Sequence, residues 1–135
     1  MQSETQAGSV SKTMLWTGRI VSALPVLLFV ATGMFGLLKP AAAMQGAAHY
    51  GFPDGVLLRV TIVEIGCAIL YVIPRTAVLG AVLLTGYLGG AVATHVRVSE
   101  PFYFPLIVGI MVWAGLYLRD VRVRALIPLR REFKA

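Results

Sequence analysis

Four apolar stretches, 15–38, 55–73, 76–94 and 102–118, divide the chain, each close to the roughly 20 residues that a helix needs to cross a bilayer. Lys39-Pro40, Pro74-Arg75 and Glu100-Pro101 separate them. Backbone groups in hydrocarbon must be satisfied within their own segment, so stretches of this length read as helices; the strands of a barrel would alternate polar and apolar residues, and these do not. Composition agrees: 58% of the 135 residues are hydrophobic and 13% charged, with a mean hydropathy of +0.80, against about 25% charged residues in soluble domains. One domain of this size cannot bury so much apolar surface in its own interior, which leaves lipid to cover the rest. The expected fold is all-α, an integral membrane antiparallel four-helix bundle over 15–118, with an N-terminal cytoplasmic tail (1–14), an outer interfacial loop (39–54) and a basic cytoplasmic tail (119–135).

The basic residues set the orientation. Lys12, Arg19, Arg75, Arg119, Arg122, Arg124, Arg130, Arg131 and Lys134 fall on the side of the termini, and only Lys39, Arg59 and Arg97 on the other. Cations accumulate on the cytoplasmic side, so both termini are expected there, in a multi-pass protein of the cytoplasmic (inner) membrane. In the outer loop, the Ala-rich run to Ala48 that stops at Gly51 and Pro53 reads as a short interfacial helix with a glycine terminator. The first stretch is too long for a signal-peptide core of about 7 to 15 residues, so it is read as a helix. The tail's cations suit anionic headgroups, and without interleaved aromatics they do not suit a nucleic acid. The single cysteine, Cys67, reads as a packing residue in an apolar segment.

Against this background the lone acid of the second stretch, Glu64, stands out. A carboxyl at the centre of a bilayer costs roughly 2.5–3.5 kcal/mol on insertion scales, so it persists with a partner or a task. Arg19 can snorkel to the headgroups, and Arg59, five positions earlier, points about 140° away, so neither is placed to pair with it. Without a cation, burial neutralises the acid, which leaves structural hydrogen bonding or ligand and proton handling as its roles. Antiparallel folding brings His95 and Arg97 to the outer rim beside His49, Asp54 and Glu100, a polar mouth above Glu64. Glu64, Tyr87, His95, Arg59 and His49 are therefore the candidate ligand-binding residues, and Glu64 with His95 the candidate catalytic pair. No ligand spacing supports a metal, and no haem, flavin, nucleotide or hydrolase motif occurs. Gly86, Gly90 and Thr94 share one helix face at intervals of four, a surface for close helix packing within the chain or between copies.

The residues also resemble a known family. Thr32-Gly33 followed by Leu37-Leu38-Lys39-Pro40, His49-Tyr50-Gly51-Phe52-Pro53, Glu64 with Gly66, Pro74-Arg75-Thr76-Ala77, the run Gly86 to Arg97, and Trp113-Ala114-Gly115-Leu116-Tyr117-Leu118-Arg119-Asp120 resemble the DoxX-like family of small bacterial four-helix membrane proteins. The resemblance implies a cytoplasmic-membrane bundle and, by analogy alone, quinone-linked redox function, with Glu64 and His95 the matching polar residues. The chain departs from the family at Gly36, where relatives often carry a lysine.

The leading expectation is a subunit that holds a lipophilic, quinone-like cofactor and supports a redox partner protein, with membrane lipid around it and homo-oligomerisation open. The alternatives are a membrane enzyme using Glu64 and His95 as an acid-base pair on a hydrophobic substrate, or a non-catalytic scaffold or assembly factor acting through the small-residue face.

Overall fold

A computed structural model describes residues 10–127, and its secondary structure there is helical, without strands. Six helices follow one another: α1 (Lys12–Leu38), α2 (Ala41–His49), α3 (Val56–Val72), α4 (Ala77–Arg97), α5 (Tyr103–Arg119) and α6 (Val121–Leu126). The four apolar stretches correspond to α1, α3, α4 and α5, and the expected short loop helix is α2. Ser11 caps α1 by accepting the Met14 amide at 3.2 Å. Beyond α2 the chain turns at Gly51, whose φ of 73° lies in the left-handed region that glycine adopts without strain. Helix α6 is an addition to the sequence reading: Asp120 accepts the Arg122 amide at 2.9 Å and starts a new turn beyond α5. Arg130, Arg131 and Lys134 of the basic tail, and residues 1–9, lie outside the described residues.

Glycine contacts fix how the long helices pair. A β-carbon on Gly18 would come 2.9 Å from the Arg119 amide nitrogen, and one on Gly115 would strike Ser22, so α1 and α5 run in opposite directions in near backbone contact. Gly33 meets Ile65 and Gly36 meets Thr61, which sets α1 antiparallel to α3 in the same way. Gly80 rests on the Leu70–Tyr71 backbone, joining α3 to α4, and Gly109 lies against Leu88, joining α4 to α5. Each long helix thus has two antiparallel neighbours. The inward face of α1, Gly18, Ser22, Pro25, Phe29, Gly33 and Gly36, repeats at three and four residues, which keeps small residues on one seam.

Tyr71, Ala81, Leu84, Val112 and Leu116 form the interior. At the end near the α3–α4 connection Tyr71, fully buried, donates its hydroxyl to the Val112 carbonyl at 2.8 Å and also meets Ser22 Oγ at 3.0 Å. The Arg119 guanidinium stacks over the same ring at 4.8 Å and donates to the Tyr71 carbonyl at 3.2 Å. The outer surface is apolar, with Ile20, Leu27 and Ile110 each more than 60% exposed. Of the six helices, α1 and α4 are long and apolar enough to cross a membrane; α3 and α5 have 17 residues each.

Candidate functional site

Glu64 projects from the middle of α3 into the seam with α1 and is buried. Thr32 of α1 faces it: the hydroxyl hydrogen-bonds to Glu64 Oε1, and it also lies 2.9 Å from the Leu28 carbonyl of its own helix. One hydroxyl hydrogen cannot serve both acceptors fully, so Thr32 is placed either to donate to the carboxyl or, bonded to Leu28, to accept a hydrogen bond from the carboxyl in its protonated form. From α4 the Tyr87 hydroxyl approaches the same carboxyl, and its ring packs edge-on against Phe29 with centroids 6.2 Å apart. Two helices, α1 and α4, thereby bring hydroxyls to the acid on α3, and among the described residues the one ion pair lies elsewhere. Arg59 is exposed on α3 and makes no hydrogen bond to the carboxyl. Gly36 is buried against Thr61, where a lysine would not fit without displacing α3.

Thr32 is the member of this group that sequence reasoning missed. Its signal was antiparallel register: Gly33–Ile65 and Gly36–Thr61 contacts set Thr32 opposite Glu64. Thr32 lies on the exposed side of the seam. One turn further in begins an apolar groove of about 200 Å³ between α1 and α3, lined by Val26, Phe29, Ala68, Ile69 and Val72 among others. Neither Glu64 nor Thr32 lines this groove, but its Val30 and Ile65 are close to them in sequence on the same two helices, and Val30 and Ile69 of its lining are exposed on the apolar surface.

A second polar cluster occupies the rim. His49 Nε2 donates to Glu100 Oε1 at 2.8 Å and Tyr50 donates its hydroxyl to Glu100 Oε2 at 2.9 Å. His95 bonds through Nδ1 to the Ala91 carbonyl at 2.8 Å and stands with Nε2 3.5 Å from the Tyr50 hydroxyl, while Arg97 donates to the Tyr50 carbonyl. The loop after α2 is thus fastened to the connection between α4 and α5. Hydrogen bonds from His49 and Tyr50 hold the Glu100 carboxyl below its ordinary range, and the bond to Glu100 pushes the Tyr50 hydroxyl up. His49, His95, Arg97 and Glu100 meet at this rim as the sequence suggested, whereas the Asp54 side chain makes no hydrogen bond or ion pair among the described residues.

Glu64 and His95 belong to different clusters. Tyr87, the α4 residue beside Glu64, precedes His95 by eight positions, about 12 Å of helix rise. The ring nitrogens of His95 engage Ala91 and Tyr50, not Glu64, so the structure does not assemble them as an acid-base pair on one reacting atom. Within the chain the expected packing face of α4 meets no neighbouring helix, which leaves packing between copies as the other half of that expectation. Gly86 and Gly90 are exposed, a β-carbon on either meets nothing within 4 Å, and Thr94 bonds back to Gly90 of its own helix. Their spacing marks a face of α4, but Gly80 is the α4 glycine that packs closely, because it sits where α3 and α4 converge.

A third feature lies between α4 and α5, an open apolar groove of about 700 Å³ in which the Trp113 indole donates to Thr85 Oγ1 at 2.8 Å. Neither Glu64 nor Tyr87 lines it. Among the described residues no three His, Cys, Asp or Glu side chains converge as metal ligands.

The architecture defines a small all-helical protein with two membrane-length helices and a sequestered carboxyl. The family comparison places it more narrowly: the DoxX-like family model matches residues 20–115, well over half of the chain, and the chain belongs to that family. No curated protein and no solved structure matched it. Family and apolar helices together indicate a membrane protein.

Proposed function

We propose that the chain is an integral four-helix membrane protein that binds a lipophilic molecule with a polar head, quinone-like in its chemistry, in the seam between α1 and α3. In this reading α1, α3, α4 and α5 all span the cytoplasmic membrane, with both termini in the cytoplasm. The 17-residue helices α3 and α5 fall at the short end of the spanning range of about 17–25 residues. The observation that carries the reading is Glu64, buried without a cation and bonded to Thr32 where an apolar groove begins.

A carbonyl or hydroxyl oxygen at that point would exchange hydrogen bonds with Thr32 and Glu64, while its apolar body lies along Phe29, Ala68 and Ile69. The Glu64 carboxyl can give or take a proton at such an oxygen while Thr32 and Tyr87 orient it by hydrogen bonds; a bound quinone would supply the electron chemistry, with a partner redox protein as the other party. The chain's part is to bind, orient and exchange protons with the ligand. In this reading Glu64 serves the ligand without His95, whose ring nitrogens engage Ala91 and Tyr50.

The experiment is a thermal-stability titration of purified protein with decylubiquinone, with native mass spectrometry of the retained molecules. Stabilisation of the wild type is expected, weakened by Thr32→Val and abolished by Ile69→Trp, which fills the groove from its exposed side. Wild-type stability unchanged by decylubiquinone, with ordinary phospholipid alone retained, would refute the reading.

A further inference from the structure

Ser22, Gly18 and Met14 succeed one another along one face of α1, about 6 Å apart, and each is met by a different group. The Tyr71 hydroxyl reaches Ser22, the Arg119 backbone lies against Gly18, and Arg124 of α6 donates through Nη1 to Met14 Sδ at 3.3 Å. Arg119 also stacks over the Tyr71 ring and donates through Nη2 to the Tyr71 carbonyl. Two guanidinium groups are thus drawn against α1 at the end of the bundle that carries the α3–α4 connection, away from both apolar grooves.

These contacts leave three nitrogens over. Arg119 Nε, Arg124 Nε and Arg124 Nη2 are closed to water and have no hydrogen-bond acceptor among the described residues. No carboxylate there forms an ion pair with either arginine, and the adjacent acid, Asp120, accepts the Arg122 amide. Buried cations without a counter-charge are costly, and two of them about a helix turn apart repel. On Arg124 the orphaned nitrogens make up the edge where Nε–H and one Nη2–H run parallel, the edge that meets two oxygens of an oxyanion as a fork. Its third nitrogen faces only a thioether, a weak acceptor at the end of a flexible side chain.

We propose that Arg119 and Arg124 form a binding site for a phosphate group, held by the Arg124 fork on two oxygens and by Arg119 Nε on a third, with the Met14 side chain swung aside to admit it. Three donors on two cations suit a tetrahedral oxyanion better than a planar carboxylate. In the orientation proposed above, this end of the bundle faces the cytoplasm at headgroup level, where an anionic phospholipid head and soluble phosphate both present that group. The site shares no residue with the one at Glu64, so the two stand or fall separately.

Thermal unfolding of the purified full chain in detergent tests the assignment in two arms. Sodium phosphate replaces sodium chloride at constant ionic strength in one, and phosphatidylglycerol replaces phosphatidylcholine in mixed micelles in the other. Saturable stabilisation is expected: in the first arm it identifies soluble phosphate as the ligand, in the second alone a lipid head. Arg124→Lys keeps the charge without the fork and should raise the half-saturating concentration about tenfold, the usual effect of losing a charge-assisted hydrogen bond. Arg119→Lys gives the same test from the second cation. Arg122→Gln, on the exposed side of α6, should leave half-saturation unchanged, and Met14→Leu, which removes the thioether alone, should not weaken it. Unfolding indifferent to both ligands, a rise that never saturates and is shared in full by both lysine variants, or a response that Arg122→Gln abolishes would each overturn the proposal.

Discussion

Gly80 of α4 lies so close to Tyr71 of α3 that a β-carbon on the glycine would collide with the Tyr71 backbone nitrogen. Backbone cannot swing aside as a flexible side chain can. Gly80→Ala should therefore cost about 1–3 kcal/mol, the usual range for overpacking, while Gly86→Ala and Gly90→Ala on the open face of the same helix should be neutral or slightly stabilising. Unfolding of the purified variants, followed by circular dichroism in detergent, checks the contrast.

Gly36 gives a second comparison. Its β-carbon would strike the Thr61 hydroxyl on the seam that also holds Glu64. Gly36→Ala should lower stability and loosen the Thr32–Glu64 contact one turn away, and a joint Gly36→Ala, Thr61→Gly variant should recover much of the loss. Recovery measured by thermal unfolding would show that steric contact, not the helix propensity of glycine, fixes residue 36.

Much of this was legible in the sequence. Hydropathy and the proline-bearing breaks gave the four long helices to within about three residues at each end, because an apolar run has few other ways to satisfy its backbone in lipid. Gly51 announced the end of α2, and antiparallel connection sufficed to gather His49, His95 and Glu100. What escaped was rotation about each helix axis. Gly86 and Gly90 have the spacing of a packing face, yet spacing does not say whether that face turns toward a neighbour, and α4 turns Gly80 and Leu84 inward instead. Thr32 escaped for the same reason, since its pairing with Glu64 depends on the register between two helices far apart in sequence.

Tyr71 anchors the end of the interior near the α3–α4 connection through its hydroxyl. Tyr71→Phe removes the donor to Val112 and strands Ser22, both buried, at a cost of about 1–3 kcal/mol. Ser22→Ala, which leaves the stronger bond to the Val112 carbonyl in place, should cost less. The difference between the two unfolding transitions measures how the hydroxyl divides its partners.

At the rim, pH acts through Glu100. Its folded carboxyl is held below the ordinary value of 4.5, so its contribution to stability is complete above that value and is lost as pH falls through the lower folded value. Tyr50 is shifted the other way: its contribution is present below the ordinary tyrosine value of 10.0 and is lost only at higher alkalinity, as pH rises through the folded value. Hydrogen exchange in residues 46–54 should therefore be slow between those limits and accelerate on acidification below the carboxylate range. Glu100→Gln should reproduce the fast exchange at neutral pH.

The central claim is that Glu64 is a carboxyl reached from the lipid side of the α1–α3 seam. Treating native membranes with dicyclohexylcarbodiimide, a lipid-soluble reagent for carboxylic acids, and mapping the adduct by peptide mass spectrometry tests it most directly. An adduct on Glu64 is predicted, absent in Glu64→Gln and diminished by prior addition of decylubiquinone. Modification of Glu100 or Asp120 with Glu64 untouched, or a polypeptide that remains in the aqueous fraction when membranes are removed, would contradict it.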